Sequence, residues 1–328
     1  MSRIRMLICA AISIAIACAP RIEAATNSSA SQFEEYHLSS GVYNGKPAGN
    51  YVAYRTKVMI PGATSIRLFF GAASLGAGSY ILITSLKDSA QQHLNAAAIS
   101  QWHNTSAYFN GDAVELELIV APVDEDVSFT VDKIFVGGHV SSPVPQATSV
   151  CLSTDTRTPS SNPAIGRLVD STYSHLDNWG TVWIAPSGVL VGAAHSFGWG
   201  TNTTVEFNVP PSLADGTPQH PNPKDQYVID FNTLKTPQTA PIQVGNDWAV
   251  FSVFPNSETE LSPIQEQQAF IGVEQNDSPS GLRITGYGTS SITTLTRTQQ
   301  TATGYALHRL IPCSITKCTL RQGIQEAL

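Results

Sequence analysis

Between residues 51 and 138 apolar and polar positions alternate in short runs broken by turn residues. Val114-Glu-Leu-Glu-Leu118 alternates strictly, as a strand with one buried face should. Tyr51-Val-Ala-Tyr-Arg-Thr-Lys-Val-Met-Ile60, Ser65-Ile-Arg-Leu-Phe-Phe70, Tyr80-Ile-Leu-Ile-Thr84 and Val127-Ser-Phe-Thr-Val-Asp-Lys-Ile-Phe-Val136 are strand candidates too. Pro61-Gly62, Gly76-Ala-Gly78 and Asn110-Gly-Asp112 punctuate them. The segment 91–102 has room for a short helix, and residues 26–50 are polar and irregular. Many short strands with frequent turns predict an all-β fold, with a β-sandwich of jelly-roll type over residues 26–138. Residues 139–162 lack periodicity and read as a linker, because Ser141-Ser-Pro-Val-Pro145 and Thr158-Pro-Ser-Ser-Asn-Pro163 supply Pro and Ser in quantity. A second β-rich region follows from Ile165 to Gly304, with no repeat at a fixed period.

Composition agrees with this picture. The 328 residues include 24 glycines and 20 prolines, and only 13% are charged. That is a turn-rich β protein, long enough for two domains and a sizeable core. Arg3 and Arg5 precede an apolar run from Met6 to Ala19, and Ala24 and Ala25 offer a cleavage site. Residues 1–25 therefore read as a signal peptide, and the protein is expected to be secreted and soluble. The apolar run is short for a membrane span, and no later stretch is long enough. The formal charge is −7 with no Lys/Arg cluster, which argues against nucleic-acid partners. Cys9 and Cys18 leave with the signal, so Cys151, Cys313 and Cys318 remain, an odd number for an exported protein. No His-x-x-x-His or Cys-x-x-Cys spacing occurs, and no metal or cofactor is expected.

One stretch carries chemistry. In Gly180-Thr-Val-Trp-Ile-Ala-Pro-Ser-Gly-Val-Leu-Val-Gly-Ala-Ala-His195, a strand, a turn and a second apolar strand lead to small residues and a histidine. This resembles the general-base segment of trypsin-like serine peptidases, where Ala-Ala-His ends such a hairpin. His37, His103, His139, His175 and His220 have no comparable context. In Val244-Gly-Asn-Asp-Trp-Ala-Val-Phe-Ser-Val253 an acid, Asp247, opens an alternating strand, similar to the Asp-Ile-Ala-Leu-Leu segment of the same family. The resemblance implies that His195 is the general base and Asp247 the carboxylate that orients it. Asp230, in mid-strand within Val228-Ile-Asp-Phe231, is the competing acid. Gly286-Tyr-Gly288 resembles the Gly-Trp-Gly strand that opens the family's second barrel. Thr298-Gln-Gln-Thr-Ala-Thr-Gly304 resembles a segment before the nucleophile in bacterial relatives of the glutamyl endopeptidases. The resemblance covers roughly residues 150–304 and implies two six-stranded barrels with the site between them. Within 163–304 it predicts a trypsin-like double β-barrel, incomplete at its C-terminal end. Ser196 stands where many members carry a cysteine, so the disulfide usual there is not expected.

The family's nucleophile motif, Gly-Asp-Ser-Gly-Gly or Gly-Asn-Ser-Gly-Ser-Pro, does not occur. After Gly304 the alternation stops, and the segment 305–328 reads as an out-of-frame tail. Taking the last base of each codon with the first two of the next, Gln322-Gly-Ile-Gln-Glu-Ala-Leu328 permits Gly-Asn-Ser-Gly-Ser-Pro. Extended back to Pro312, the shifted frame permits Leu-Gln-Tyr-His-Glu-Val-His-Thr-Ala-Thr before that motif. A frame slip between Thr301 and Pro312 would also make Cys313 and Cys318 artefacts. The expectation is a secreted serine endopeptidase acting on protein or peptide substrates, inactive as written because its serine is missing. The alternative is a non-catalytic secreted binding protein that uses the sandwich, with a degenerate peptidase scaffold. Trp102, Tyr108 and Phe109 would be its aromatic platform, or else core residues. The sandwich itself reads equally as pro-region, glycan binder or scaffold.

Overall fold

The structure, a computed structural model, describes residues 31–138, 155–171, 178–197, 202–237, 246–274 and 281–304. The signal segment 1–25, all five cysteines, His139, His175, residues 139–154 of the expected linker and the tail 305–328 lie outside the described residues.

Eight strands build the first unit: β1 (Gln32–Ser39), β2 (Tyr51–Met59), β3 (Ser65–Ser74), β4 (Tyr80–Ser85), β5 (Gln91–Asn95), β6 (Phe109–Asn110), β7 (Ala113–Val120) and β8 (Ser128–Gly137). They form two antiparallel sheets in the orders β1-β8-β3-β6 and β2-β7-β4-β5. Apart from the β4–β5 hairpin within one sheet, successive strands fall alternately in the two sheets, which is the jelly-roll arrangement the patterning predicts. On β7, Val114, Leu116 and Leu118 are buried in the sandwich core. Glu117 points the other way, to Arg55 across the ladder. The stretch 26–50, read as irregular, contains β1, an edge strand on β8. Its alternation is weak because only one neighbour pairs with it and most of its side chains stay partly exposed. The helix foreseen within 91–102 is confined to α1 (Ala96–Gln101), where the Asn95 side chain caps the Ala98 N–H at 2.8 Å. Residues 91–95 pair with β4 instead. Asp124 shapes the turn after β3, accepting from Ala77 N, Gly78 N, Ser79 N and Ser79 Oγ at 3.0, 2.9, 2.8 and 2.7 Å.

Next come β9 (Thr158–Pro159) and then β10 (Ile165–Asp170), β11 (Asn178–Ile184), β12 (Leu190–Gly192), β13 (Thr203–Glu206), β14 (Gln226–Lys235) and β15 (Ala249–Val253). Strands β10 to β15 close into a barrel in the order β10-β11-β12-β15-β14-β13. Leu168, Val182, Ile184, Leu190, Val205, Phe207, Tyr227, Ile229 and Phe251 make its core. After α2 (Pro263–Gln267) come β16 (Leu282–Tyr287) and β17 (Gln299–Gly304), which form a three-stranded sheet in the order β16-β17-β9. Where the family resemblance implies two barrels, the described residues form one closed barrel and this three-stranded sheet. Thr158 and Pro159, within the stretch read as linker, pair with Thr301 and Gln300. The pairing is brief and at a sheet edge, where proline is tolerated.

Strands β3 and β10 explain how the units sit together. Every residue from Ser65 to Phe70 and from Ile165 to Asp170 is buried. A strand in an isolated sandwich or barrel would bury alternate residues only. Here the second face of each is covered: Phe69, Tyr108 and Phe135 of the sandwich cluster with Val169 of the barrel. No helix among the described residues is long and apolar enough to cross a membrane.

Candidate active site

The hairpin β11–β12 is set by its turn. Gly188 N donates to Ala185 O at 2.9 Å, and Ala185 N donates to Val189 O at 2.9 Å. Pro186 supplies the φ a turn wants, and Gly188 adopts φ +85°, which disfavours any residue with a Cβ. Beyond β12 the chain folds back over β11 as a single 3₁₀ turn, Ala194–Phe197, which carries His195. Small residues permit this. A Cβ on Gly180 would lie 3.1 Å from Ser196 Oγ, and one on Gly192 would lie 3.0 Å from Val182 Cγ1.

Gly192 pairs with Ala249, so the segment leaving β12 and the one entering β15 emerge from the same end of the barrel. Asp247, 52 residues after His195, meets it there. Asp247 Oδ2 lies 2.6 Å from His195 Nδ1, and Oδ1 accepts from the His195 backbone N–H at 2.9 Å. Both carboxylate oxygens thus bind one residue, which fixes the ring against its own backbone. An ionised carboxylate only accepts, so it faces Nδ1–H, and in the neutral imidazole the lone pair is then on Nε2. The side chains are 31% and 21% exposed, open enough for a reactant to reach the ring. Asp230, the competing acid, stands opposite Ser252 and accepts from Asn232 N and Nδ2 at 3.1 and 3.0 Å.

The second sheet lies beside the hairpin. Tyr287 N donates to Thr181 Oγ1 at 3.0 Å, and a Cβ on Gly286 would approach that oxygen to 2.7 Å. Glycine is therefore what lets β16 sit against β11. The Tyr287 hydroxyl is buried against Ile165 O, and burial pushes it up to about 12.

Two other histidines hold carboxylates that no sequence pattern indicated. His93 Nδ1 lies 2.7 Å from Glu258 Oε2 at the surface, and His220 Nδ1 lies 2.7 Å from Glu206 Oε1 in the interior. Glu206 is fully buried and also holds Arg167. Burial pushes its carboxyl up, but the charges of Arg167 and His220 outweigh that and leave it below its ordinary value. No local signal foretold this cluster, because its members come from separate segments. Burial pushes the His103 imidazole below its ordinary value. Trp102, Tyr108 and Phe109 are 3%, 1% and 1% exposed, so they are core residues and not a platform. Among the described residues no three His, Cys, Asp or Glu side chains converge as metal ligands would.

No family model matches the chain, and no curated protein matches it. Solved structures that resemble part of it include two proteins. The protease Anisep from Arthrobacter nicotinovorans is 15% identical, over 49% of this chain and 76% of that one, with a TM-score of 0.35. Human heparin binding protein is 11% identical, over 46% of this chain and 64% of that one, with a TM-score of 0.32.

Proposed function

We propose that this chain is a secreted serine endopeptidase of trypsin-like type, with His195 as general base and Asp247 as its orienting carboxylate. The two-point grip of Asp247 on His195, through Nδ1 and the backbone N–H, is the observation that carries this reading. With Nδ1 committed as a donor, Nε2 is the nitrogen that takes the proton of a serine hydroxyl. The serine oxygen then bonds to the peptide carbonyl carbon, and His195 returns the proton to the leaving amine as the C–N bond breaks. Water repeats the sequence on the acyl-enzyme. Asp247 stabilises the imidazolium that forms in between.

The serine is read in the shifted frame that begins near Pro312. The coding nucleotide sequence tests this directly. If the frame beginning near Pro312 does not encode Asn-Ser-Gly-Ser, the frame-slip reading is lost. If it does, the frame-restored protein is expected to cleave a fluorogenic peptide and to be blocked by a serine-directed inhibitor. Inactivity of the restored protein together with glycan binding would favour the non-catalytic alternative, which has no exposed aromatic platform at Trp102, Tyr108 and Phe109 to support it. Secretion is tested by N-terminal sequencing of the exported protein, which is expected to begin after Ala24 or Ala25.

A further inference from the structure

The apolar cores of the sandwich and the barrel run into each other. Val228, on β14 of the barrel, is 3% exposed and belongs to the sandwich's core cluster, and Phe254 just beyond β15 packs on the same cluster. In the other direction Val169 of β10 packs with Phe69, Tyr108 and Phe135 of the sandwich.

A polar seam accompanies the apolar one. Arg67 is 1% exposed. It spends Nε on Ser106 O at 3.0 Å and Nη2 on Thr105 Oγ1 at 2.8 Å, both within the sandwich. Its Nη1 reaches Ser171 Oγ at 3.1 Å and Asn202 O at 2.7 Å, both on the barrel side. Two side-chain amides then imitate peptide groups. Gln226 accepts from Tyr108 N and donates to Tyr108 O, both at 2.9 Å. Asn110 donates to His220 O at 2.8 Å and accepts from His220 N at 2.9 Å. The Tyr108 ring stacks on His220 with centroids 4.3 Å apart and planes 4° apart. His220 in turn holds Glu206, whose Oε2 takes Nε and Nη2 of Arg167 at 2.8 and 2.6 Å.

We infer that the sandwich is a permanent wall of the barrel, folded and retained with it, and not a removable pro-region. Reciprocal amide pairs and a parallel ring stack are directional, so they admit one docking pose. Separation would expose Val228, Phe254, Val169 and Tyr108 to water at once. The seam runs along the β10-β13-β14 side of the closed barrel. Its barrel contacts fall on the end of β10, the residue before β13, the connection from β13 to β14, β14 itself and the segment after β15. His195 and Asp247 lie where the chain leaves β12 and enters β15. The inference does not depend on the chain being a peptidase.

The test uses the full chain with a site-specific protease sequence inserted between residues 145 and 146. After cutting, the two pieces are expected to co-elute on size exclusion as one species of undiminished mass. Two peaks without denaturant would overturn the inference. A double-mutant cycle gives a second reading that does not depend on the insertion. Tyr108→Ala and His220→Ala are each expected to lower the melting temperature by a few degrees, and the double variant by clearly less than the sum. Strict additivity would overturn the clasp. If either alanine variant fails to fold, Asn110→Ala paired with Lys87→Ala, which loses a 3.1 Å bond to Gln219, is used in its place. A melting temperature unmoved by both would count equally against the clasp.

Discussion

Asp247 serves His195 with both oxygens, and that division predicts how its loss would read. In the frame-restored protein, Asp247→Asn is expected to lower kcat by about 10⁴-fold with little change in KM, because an amide N–H facing Nδ1 favours the wrong tautomer. Asp230→Asn is expected to stay near wild type, since Asp230 is engaged with Asn232. Steady-state kinetics of the two variants separate the acids. Glu206 gives a prediction about stability. Its folded carboxyl titrates below the ordinary value of 4.5. The stability it contributes is therefore present at pH 7 and lost as pH falls below 4.5 through the folded value. Asp155, drawn far down by its hydrogen bonds to Arg157, acts with the same sign. Glu206→Gln leaves Arg167 buried without its counter-charge and is expected to cost about 3–5 kcal/mol at pH 7. Urea unfolding measured between pH 7 and pH 3 should then show a flatter acid limb than wild type.

At the scale of elements, the contact of β16 with β11 is the most sharply defined. Gly286→Ala would push a methyl into Thr181 Oγ1 and is expected to cost about 1–3 kcal/mol. Thr181→Val leaves the buried Tyr287 N–H without its acceptor and is expected to cost a similar amount, about 1–3 kcal/mol. Urea denaturation of both single variants and the double variant checks this. The methyl of Gly286→Ala and the lost acceptor act at one contact, so the two costs should not add. Some elements were plain in the sequence. Pro186-Ser187-Gly188 between two apolar runs announces the β11–β12 hairpin, and strict alternation announces β7. Others were not. β1 is an edge strand with half-exposed side chains, and β9 is two residues of a Pro-rich stretch whose partner lies more than a hundred residues away.

At the scale of the whole molecule, sandwich, barrel and second sheet form a continuous structure with a partly exposed His–Asp pair. Two arginines tie it together from inside. Arg67 joins sandwich to barrel, and Arg167 joins the barrel to the second-sheet region through Arg297 O at 2.7 Å. The expected consequence is a single unfolding transition. Of the five tryptophans Trp102 belongs to the sandwich and the other four follow residue 178, so fluorescence reports mostly the region after the sandwich, and circular dichroism reports all sheets together. Coincident melts by the two probes check it, and a resolved first transition would mean the sandwich unfolds alone.

The sequence by itself determined what depends on near neighbours: the all-β class, five of the eight sandwich strands, the hairpin leading to His195 and the small residues that let the chain turn back. Alternation and turn residues are local, and they act before distant segments meet. The resemblance already named Asp247 for His195, but only the tertiary structure brings each carboxylate to its histidine. Asp247 reaches His195 because Gly192 and Ala249 are in register across the closed barrel, while Glu206 reaches His220 in the interior. It also decided that Arg67 and Arg167, charged residues within otherwise alternating strands, are buried. A strand's second face is inside or outside according to what docks on it, and that partner is fixed only when the whole chain has packed.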